Sequence, residues 1–199
     1  MSKIKVDAFY LKEHFAELHQ QKEHLLNLIN QAKCDSNEPI KGMDSRMPHT
    51  AKISPINRLD WNNGSDYKNR PWVNFVLDLM VTKFNNMLEK NLGLTGVRLK
   101  HFWFQQYIQN NSHQWHIHEC NFTGVYYVEL NDEENNKTEL ISGDTKLTPE
   151  VKEGDICIFP AFVVHRCPLI HSTKRKTIIS YNFDASNLTE HQFKLVDNK

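Results

Sequence analysis

Two stretches of helical periodicity, separated by a polar segment, occupy the first half of the chain. Apolar residues recur every three to four positions over residues 8–33, which predicts an amphipathic helix. Residues 34–70 are rich in Asp, Asn, Pro and Gly and predict a long loop. A second apolar stripe starts after Pro71 and stops at Gly93, residues typical of a helix start and a helix end. We therefore expect a helical support region over residues 8–92.

Beyond Gly96 the pattern becomes that of β-strands. Short runs rich in aromatic and β-branched residues are separated by turn-like connections, which is typical of strands. The runs are VRLKHFWFQQYIQ, QWHIH, FTGVYYVEL, DICIFP, FVVHRC and RKTIISYNF. Because these strands follow the helices and do not alternate with them, they predict an antiparallel sandwich or barrel backed by helices. The fold class is mainly β with packed helices, in a single domain spanning residues 1–199.

Composition narrows the partners of this domain. Lys and Arg together number 24, as do Asp and Glu, so the net charge is zero when the histidines are neutral. This balance gives no general electrostatic signal for nucleic acid or an anionic membrane. No apolar run approaches the roughly 20 residues of a membrane span, and the first residues lack the apolar core of a signal peptide. The four cysteines form no CxxC pair and indicate thiols in a reducing compartment, so we expect a cytoplasmic protein.

Histidines in the β region are candidate metal ligands. His116 and His118 stand two positions apart, so on a strand their side chains project from the same face. Two such imidazoles can bind one ion of Fe, Zn, Cu or Ni. His165 lies in the apolar stretch AFVVH, where a histidine needs a partner. It is either a hydrogen-bonded core residue or a third metal ligand.

Arg175 is a candidate anion contact ten residues after His165. On a strand it shares a face with Thr177, Ile179 and Tyr181. A buried guanidinium pairs with an anion, and its fork fits a carboxylate through two hydrogen bonds. In this interpretation the neighbouring Lys176 points to solvent. The alternative is that Arg175 belongs to an exposed basic turn.

Taken together, the order HxH, GDxxxFP, His and then Arg with Thr two positions later resembles the iron(II)- and 2-oxoglutarate-dependent oxygenases. The resemblance is to the prolyl-hydroxylase-like group and its bacterial and phage-type relatives. It rests on TGVYYVEL, VKEGDICIFPAFVVH and KRKTIISYNFD, within residues 97–184. It implies a double-stranded β-helix (jelly-roll, cupin-like) core over those residues, preceded by two amphipathic helices. It also implies Fe(II), 2-oxoglutarate as cosubstrate and ascorbate as a candidate reductant.

The resemblance also implies the reaction and its residues. The family hydroxylates a small-molecule or peptide substrate, a peptidyl proline among the candidates, while 2-oxoglutarate is decarboxylated to succinate. By position, His116 and His165 would bind the metal. Arg175, Thr177 and Tyr127 would contact the far carboxylate of 2-oxoglutarate, and Tyr107 would line its pocket. For each tyrosine the alternative is a core aromatic residue with a bonded hydroxyl group.

His118 departs from the family pattern, because most members have Asp or Glu at this position. Replacing that carboxylate by a neutral imidazole makes an Fe(II) site more positive by about one charge. Three-histidine iron sites exist in related barrels, so we expect His118 as the third ligand. Glu119 is the fallback if a bulge turns it inward. His113 and His171 lie in predicted turns and are expected to be exposed or to lie behind the ligands.

Two other functions remain open on the sequence alone. One is a cupin-like metalloenzyme that uses three histidines without 2-oxoglutarate. Against it, Phe162 replaces the glycine of the second cupin motif, and Phe122 and Thr123 stand where a glutamate is expected. The other is a catalytically silent barrel that acts as a binding module. The pattern predicts no particular oligomeric state.

The long polar segment is a candidate lid over a substrate. Residues 34–70 include Arg58, Trp61 and Tyr67, side chains able to contact a bound molecule. A loop of this length is often functional. The alternative is a poorly ordered connector.

Overall fold

The computed structural model describes residues 8–35, 56–130 and 137–188 of the chain. In chain order its elements are β1 (Leu11–His14), α1 (Ala16–His19), α2 (Lys22–Gln31), β2 (Arg58–Leu59), α3 (Pro71–Leu92), β3 (Leu94–Tyr107), β4 (His113–His116), β5 (Phe122–Glu129), β6 (Glu139–Ser142), β7 (Thr145–Leu147), β8 (Asp155–Pro160), β9 (Val164–Cys167) and β10 (Lys176–Leu188). None of the helices in these ranges has the length and apolar character needed to cross a bilayer. The four cysteines are free thiols, as predicted.

The helix predicted after Pro71 is present as α3. Pro71 lies in the first turn, where its missing N–H removes no intrahelical hydrogen bond. Gly93 ends the helix at a φ of 65°, a left-handed conformation that glycine adopts without strain. The buried face of α3 carries Trp72, Val73, Val76, Met80, Phe84, Met87 and Leu88. This face covers one side of the β structure.

The prediction of one continuous helix over residues 8–33 is wrong. The chain first forms β1, in which Leu11 lies opposite Ile158 of β8, and then the short helix α1 and the longer helix α2. The N–H of Phe15 donates to the carbonyl of Gly154 at 2.8 Å and ties the end of β1 to the sheet. The edge of β8 offers backbone partners, and the periodicity of the first residues does not reveal them.

The strands form two antiparallel sheets, in agreement with the predicted mainly β fold. The larger sheet has the order β1-β8-β5-β10-β3-β2, and the smaller has the order β4-β9-β6-β7. Strand β10 lies inside the larger sheet, between β5 and β3. Both of its edges are therefore hydrogen-bonded to neighbouring strands.

The larger sheet separates two apolar layers. The outer layer packs sheet residues against α2 and α3 and includes Phe102, Phe104, Ile179, Tyr181 and Phe183. The inner layer lies between the two sheets and includes Val125, Tyr127, Cys157, Phe159, Cys167 and Ile178. Successive strand residues point to opposite faces, so Ile178 and Ile179 belong to different layers. One end of the inner layer is polar and holds the candidate site.

Residues 34–35 and 56–70 of the candidate lid are described, and residues 56–70 are packed on the fold. The guanidinium of Arg58 donates to the Ile29, Asn30 and Ala32 carbonyls at 3.1–3.2 Å and caps the C-terminal end of α2. Trp61 lies 4.4 Å, centre to centre, from the Trp103 ring. Residues 36–55 of the predicted lid lie outside the described residues. The lid stays a prediction.

Asp60 anchors residues 56–70 to the core. Its fully buried carboxylate accepts hydrogen bonds from Arg70 Nη1, Trp72 Nε1 and the Phe104 N–H, each at 2.9 Å. Burial raises the pKa of Asp60, and the adjacent Arg70 lowers it by a smaller amount. The three donors compensate for the lost hydration of the carboxylate. The segment before α3 is thus held by a buried ion pair.

Candidate functional site

Three imidazoles converge at the polar end of the inner layer. His116 ends β4 and lies directly opposite His165 of β9. His118 follows β4, and its N–H donates to the Ala161 carbonyl at 3.1 Å. The ligand nitrogens of the three lie within 4.8 Å of one another, and the Nε2 atoms of His118 and His165 are 3.3 Å apart. Two nitrogens about 2.1 Å from one ion and roughly 100° apart would lie about 3.2 Å from each other.

Hydrogen bonds to backbone carbonyls orient two of these rings. His116 Nδ1 donates to the Gln114 carbonyl at 2.6 Å, and His165 Nδ1 donates to the Val163 carbonyl at 2.9 Å. A proton on Nδ1 leaves a lone pair on Nε2, which is the arrangement of metal-binding histidines. Both rings therefore present Nε2 as a ligand.

The third ring is oriented by an amide. His118 Nδ1 lies 3.2 Å from Nδ2 of Asn182, while Oδ1 of Asn182 is buried without a hydrogen-bond partner among the described residues. The two ends of an amide have the same shape, so a half-turn puts Oδ1 beside His118 and lets it accept the Nδ1 proton. His118 then has the same tautomer as the other two ligands. The donor set fits a divalent transition metal.

Burial keeps the three imidazoles neutral. It lowers the pKa of His118 to about 3, with smaller contributions from the nearby His116 and His101. Burial likewise lowers the pKa of His165 well below its ordinary value and lowers that of His116. Because only the neutral form offers a lone pair to a metal, these shifts favour metal binding near neutral pH.

Among the described residues the cluster contains three imidazoles and no carboxylate. His116, His118 and His165 are the three residues that the sequence singled out. The fallback, Glu119, is exposed and lies outside the cluster. Metal binding itself stays a prediction.

A small pocket, with a volume of about 30 Å³, lies beside the histidines between the sheets. Its walls mix polar and apolar side chains, among them Trp103, Gln105, Tyr107, Thr138, Cys167 and Ser180.

Lys176 is fully buried and contacts a residue of the pocket lining. Its Nζ is 3.4 Å from Sγ of Cys167 and 5.6 Å from the centre of the Tyr107 ring, and both of these residues line the pocket. The Tyr107 hydroxyl is buried and has no hydrogen-bond partner in the described ranges. An ammonium and a phenol hydroxyl are both hydrogen-bond donors, so the surroundings of Lys176 and Tyr107 suit a carboxylate.

Arg175 and Thr177 lie on the opposite face of β10. The Arg175 guanidinium donates to both oxygens of Glu129, at 2.8 and 3.3 Å, and Thr177 Oγ1 donates to the same carboxylate at 2.8 Å. The expectations that Arg175 faces the pocket and that Lys176 faces solvent are therefore wrong. A strand buried on both faces shows no alternation of polar and apolar residues, so the sequence did not reveal which set points inward.

The two predicted tyrosines both belong to the inner layer. Tyr107 lines the pocket. The Tyr127 hydroxyl donates to Oγ1 of Thr138, which lines the pocket, at 2.8 Å. Burial raises the pKa of both hydroxyls well above the ordinary value, so both remain protonated donors. Their contacts with a cosubstrate stay predictions.

Sequence reasoning missed three features of the site. His113 opens β4 and lines the pocket, although a turn was expected there; His171 is exposed, which agrees with expectation. The inward positions of Lys176 and Asn182 were also missed. These two residues are six apart on β10 and therefore share a face, but the spacing does not show that this face points inward.

The chain is similar to solved structures of known proteins. No protein-family model and no curated protein sequence matches this chain. A prolyl hydroxylase from Trichoplax adhaerens, in complex with a hypoxia inducible factor peptide, is similar with a TM-score of 0.61 and 13% identity, over 94% of this chain and 86% of that one. HygX from Streptomyces hygroscopicus, with nickel and 2-oxoglutarate bound, is similar with a TM-score of 0.60 and 9% identity, over 92% and 85%.

A prolyl-4-hydroxylase from Pseudomonas putida is similar with a TM-score of 0.59 and 13% identity, over 89% of this chain and 93% of that one. Identities this low carry an argument about fold alone. The two antiparallel sheets agree with the jelly-roll fold of these neighbours. The structural neighbours confirm the resemblance predicted from the motifs: the chain shares its fold with the 2-oxoglutarate- and Fe(II)-dependent oxygenases, prolyl hydroxylases among them.

Proposed function

We propose that the protein is an Fe(II)- and 2-oxoglutarate-dependent dioxygenase. The observation that carries the proposal is the convergence of His116, His118 and His165 beside a pocket that Tyr107 and Cys167 line, with the Lys176 ammonium against these two residues. A metal at the histidines and a cation close to Tyr107 complement a molecule with a chelating 2-oxo acid group and a second carboxylate. 2-Oxoglutarate has both groups.

The roles of the residues follow from this placement. The three histidines hold Fe(II), and Lys176 and Tyr107 hold the far carboxylate of 2-oxoglutarate. When bound, Fe(II), 2-oxoglutarate and O2 supply the oxidising chemistry that forms succinate and CO2 and hydroxylates a substrate. The apolar walls of the inner layer, Ile178 among them, exclude water from the reacting groups.

The all-imidazole donor set leaves a second candidate, a cupin-like metalloenzyme that does not use 2-oxoglutarate. Neutral imidazoles suit Zn, Cu and Ni as well as Fe, so the ligands alone do not select iron. That enzyme would not use Lys176 to bind 2-oxoglutarate. Binding of 2-oxoglutarate therefore separates this candidate, and a silent barrel, from the dioxygenase.

We propose a small molecule or a peptide as the substrate. The neighbour from Trichoplax adhaerens was determined with a peptide, which keeps a peptidyl proline among the candidates. The neighbours also include SnoN, an α-ketoglutarate-dependent epimerase. Hydroxylation is therefore a narrower proposal than the use of Fe(II) and 2-oxoglutarate.

Succinate formation tests the proposal. Wild-type protein loaded with Fe(II) without oxygen is given 2-oxoglutarate, ascorbate and air, and 2-oxoglutarate binding is measured on the same sample. We expect binding, and succinate above background that is lost in His165→Ala. His171→Ala, which removes an exposed histidine six residues away, is the matched control and should retain it. Iron-loaded protein that neither binds nor consumes 2-oxoglutarate would contradict the proposal.

A further inference from the structure

His113 is a fourth imidazole in the pocket, and the proposed function gives it no role. It is three residues before His116, a spacing that would place the two side chains on opposite faces of a regular strand. Strand β4 contains a bulge: His113 lies opposite Cys167 and His116 opposite His165, so three steps on β4 match two on β9. The bulge turns both rings inward, where they stack with centres 4.0 Å apart and planes inclined by 23°.

A short hydrogen-bond chain sets the tautomer of His113. The Ser180 hydroxyl donates to Oε1 of Gln105 at 3.1 Å, and Nε2 of Gln105 lies 3.4 Å from Nδ1 of His113. Gln105 and Ser180 are buried. With the Gln105 amide in this orientation, its Nε2–H donates to His113 Nδ1, and the ring proton of His113 resides on Nε2.

This tautomer is the reverse of that in the three ligand histidines. They donate from Nδ1 and keep a lone pair on Nε2, whereas His113 accepts at Nδ1 and carries an N–H at Nε2. A protonated Nε2 cannot bind a metal, which agrees with the absence of His113 from the convergent cluster. His113 is instead a neutral hydrogen-bond donor beside the metal centre.

The position of His113 indicates what accepts this hydrogen bond. Its cross-strand partner Cys167 contacts Lys176, while the neighbouring pair, His116 and His165, belongs to the metal centre. His113 therefore lines the pocket beside the metal centre and next to Cys167, the residue that Lys176 contacts. We propose that His113 binds the cosubstrate by donating its Nε2–H to an oxygen of the 2-oxo dicarboxylate. The inference rests on the proposed function.

Two variants and a binding measurement test the inference. His113→Phe keeps a ring for stacking but has no donor, whereas His113→Gln keeps an N–H donor. The dissociation constants of Co(II), and of 2-oxoglutarate for the Co(II)-loaded protein, are measured without oxygen. We expect Co(II) binding to change less than about threefold in both variants. 2-Oxoglutarate binding should weaken roughly 10- to 100-fold in His113→Phe, as for loss of a hydrogen bond to a charged group, and recover in His113→Gln.

Three outcomes would overturn the inference. His113→Phe could bind 2-oxoglutarate like wild type, or it could lose Co(II) to the same extent as 2-oxoglutarate, which would make His113 a support for the ligands. Wild-type protein that binds Co(II) but not 2-oxoglutarate would overturn the proposed function, and this inference with it. The first two outcomes leave the proposed function intact, so the two failures are distinguishable.

The tautomer provides a readout that needs no cosubstrate. In the Zn(II)-loaded protein, long-range proton–nitrogen NMR spectra assign the protonated nitrogen of each histidine. We expect the proton on Nε2 of His113 and on Nδ1 of His116, His118 and His165. A proton on Nδ1 of His113 would overturn the inference.

Discussion

Replacing Lys176 by methionine tests which face of β10 lines the pocket. Methionine has a similar length and an apolar character, so the buried volume is largely retained while the charge is lost. Lys176 is fully buried beside Cys167 and Tyr107, so the screening by solvent that weakens surface ion pairs does not apply. Removing one partner of a buried, hydrogen-bonded charge pair costs about 2–5 kcal/mol. We therefore expect the dissociation constant of 2-oxoglutarate to rise roughly 30- to 5,000-fold.

Arg175→Met is the matched control, since it removes the same charge from the adjacent residue on the opposite face. Because Arg175 is bound to Glu129, this variant should change the dissociation constant less than about threefold. Calorimetric titration of the Co(II)-loaded proteins with 2-oxoglutarate and with 2-oxobutanoate, which lacks the second carboxylate, measures the effect. Lys176→Met should weaken only 2-oxoglutarate. The reasoning is refuted if Lys176→Met binds 2-oxoglutarate like wild type, or if Arg175→Met loses the binding instead.

Three further predictions concern stability. Asp60→Asn leaves the buried Arg70 without its counter-charge and should lower the free energy of unfolding, measured by urea denaturation, by about 3–5 kcal/mol. A decrease of less than about 1 kcal/mol would show that this ion pair does not stabilise the fold. A side chain at Gly124 would bring Cβ to 2.1 Å from the Cys157 carbonyl oxygen, so Gly124→Ala should fold poorly. If Gly124→Ala melted at the same temperature as the wild-type protein, the close contact between these strands would be wrong. Burial lowers the pKa of His118 to about 3, below the roughly 6.5 of an unfolded chain, so the unfolded state takes up a proton first as the pH falls. The free energy of unfolding of the metal-free protein should therefore decrease from about pH 6.5 downward, and it should decrease less steeply in His118→Phe. Equal slopes of unfolding free energy against pH in the two proteins would contradict this prediction.

The features that sequence could predict are those set by local chemistry. Pro71 and Gly93 fixed the ends of α3 because each has a conformational preference that holds in any context. His116 and His118 were recognised by their spacing, and His165 by its position in an apolar stretch. The structure brings the three together.

The features that sequence could not predict depend on partners distant in the chain. Leu11 begins a strand because the backbone of β8 pairs with it. The inward direction of Lys176 depends on how β10 pairs with β3 and β5. The Ile178–Ile179 pair shows why: with both faces apolar, either orientation buries the same kind of side chain. The inward turn of His113 needed a bulge, which is seen only in the pairing of β4 with β9.

The stoichiometry of 2-oxoglutarate bound to the wild-type protein, with and without Fe(II) and in the absence of oxygen, tests the central claim most directly. The arrangement of His116, His118, His165 and Lys176 predicts one 2-oxoglutarate per iron-loaded chain and at least tenfold weaker binding to the metal-free chain. Iron-loaded protein that binds no 2-oxoglutarate, or binds it equally well without the metal, would contradict the account.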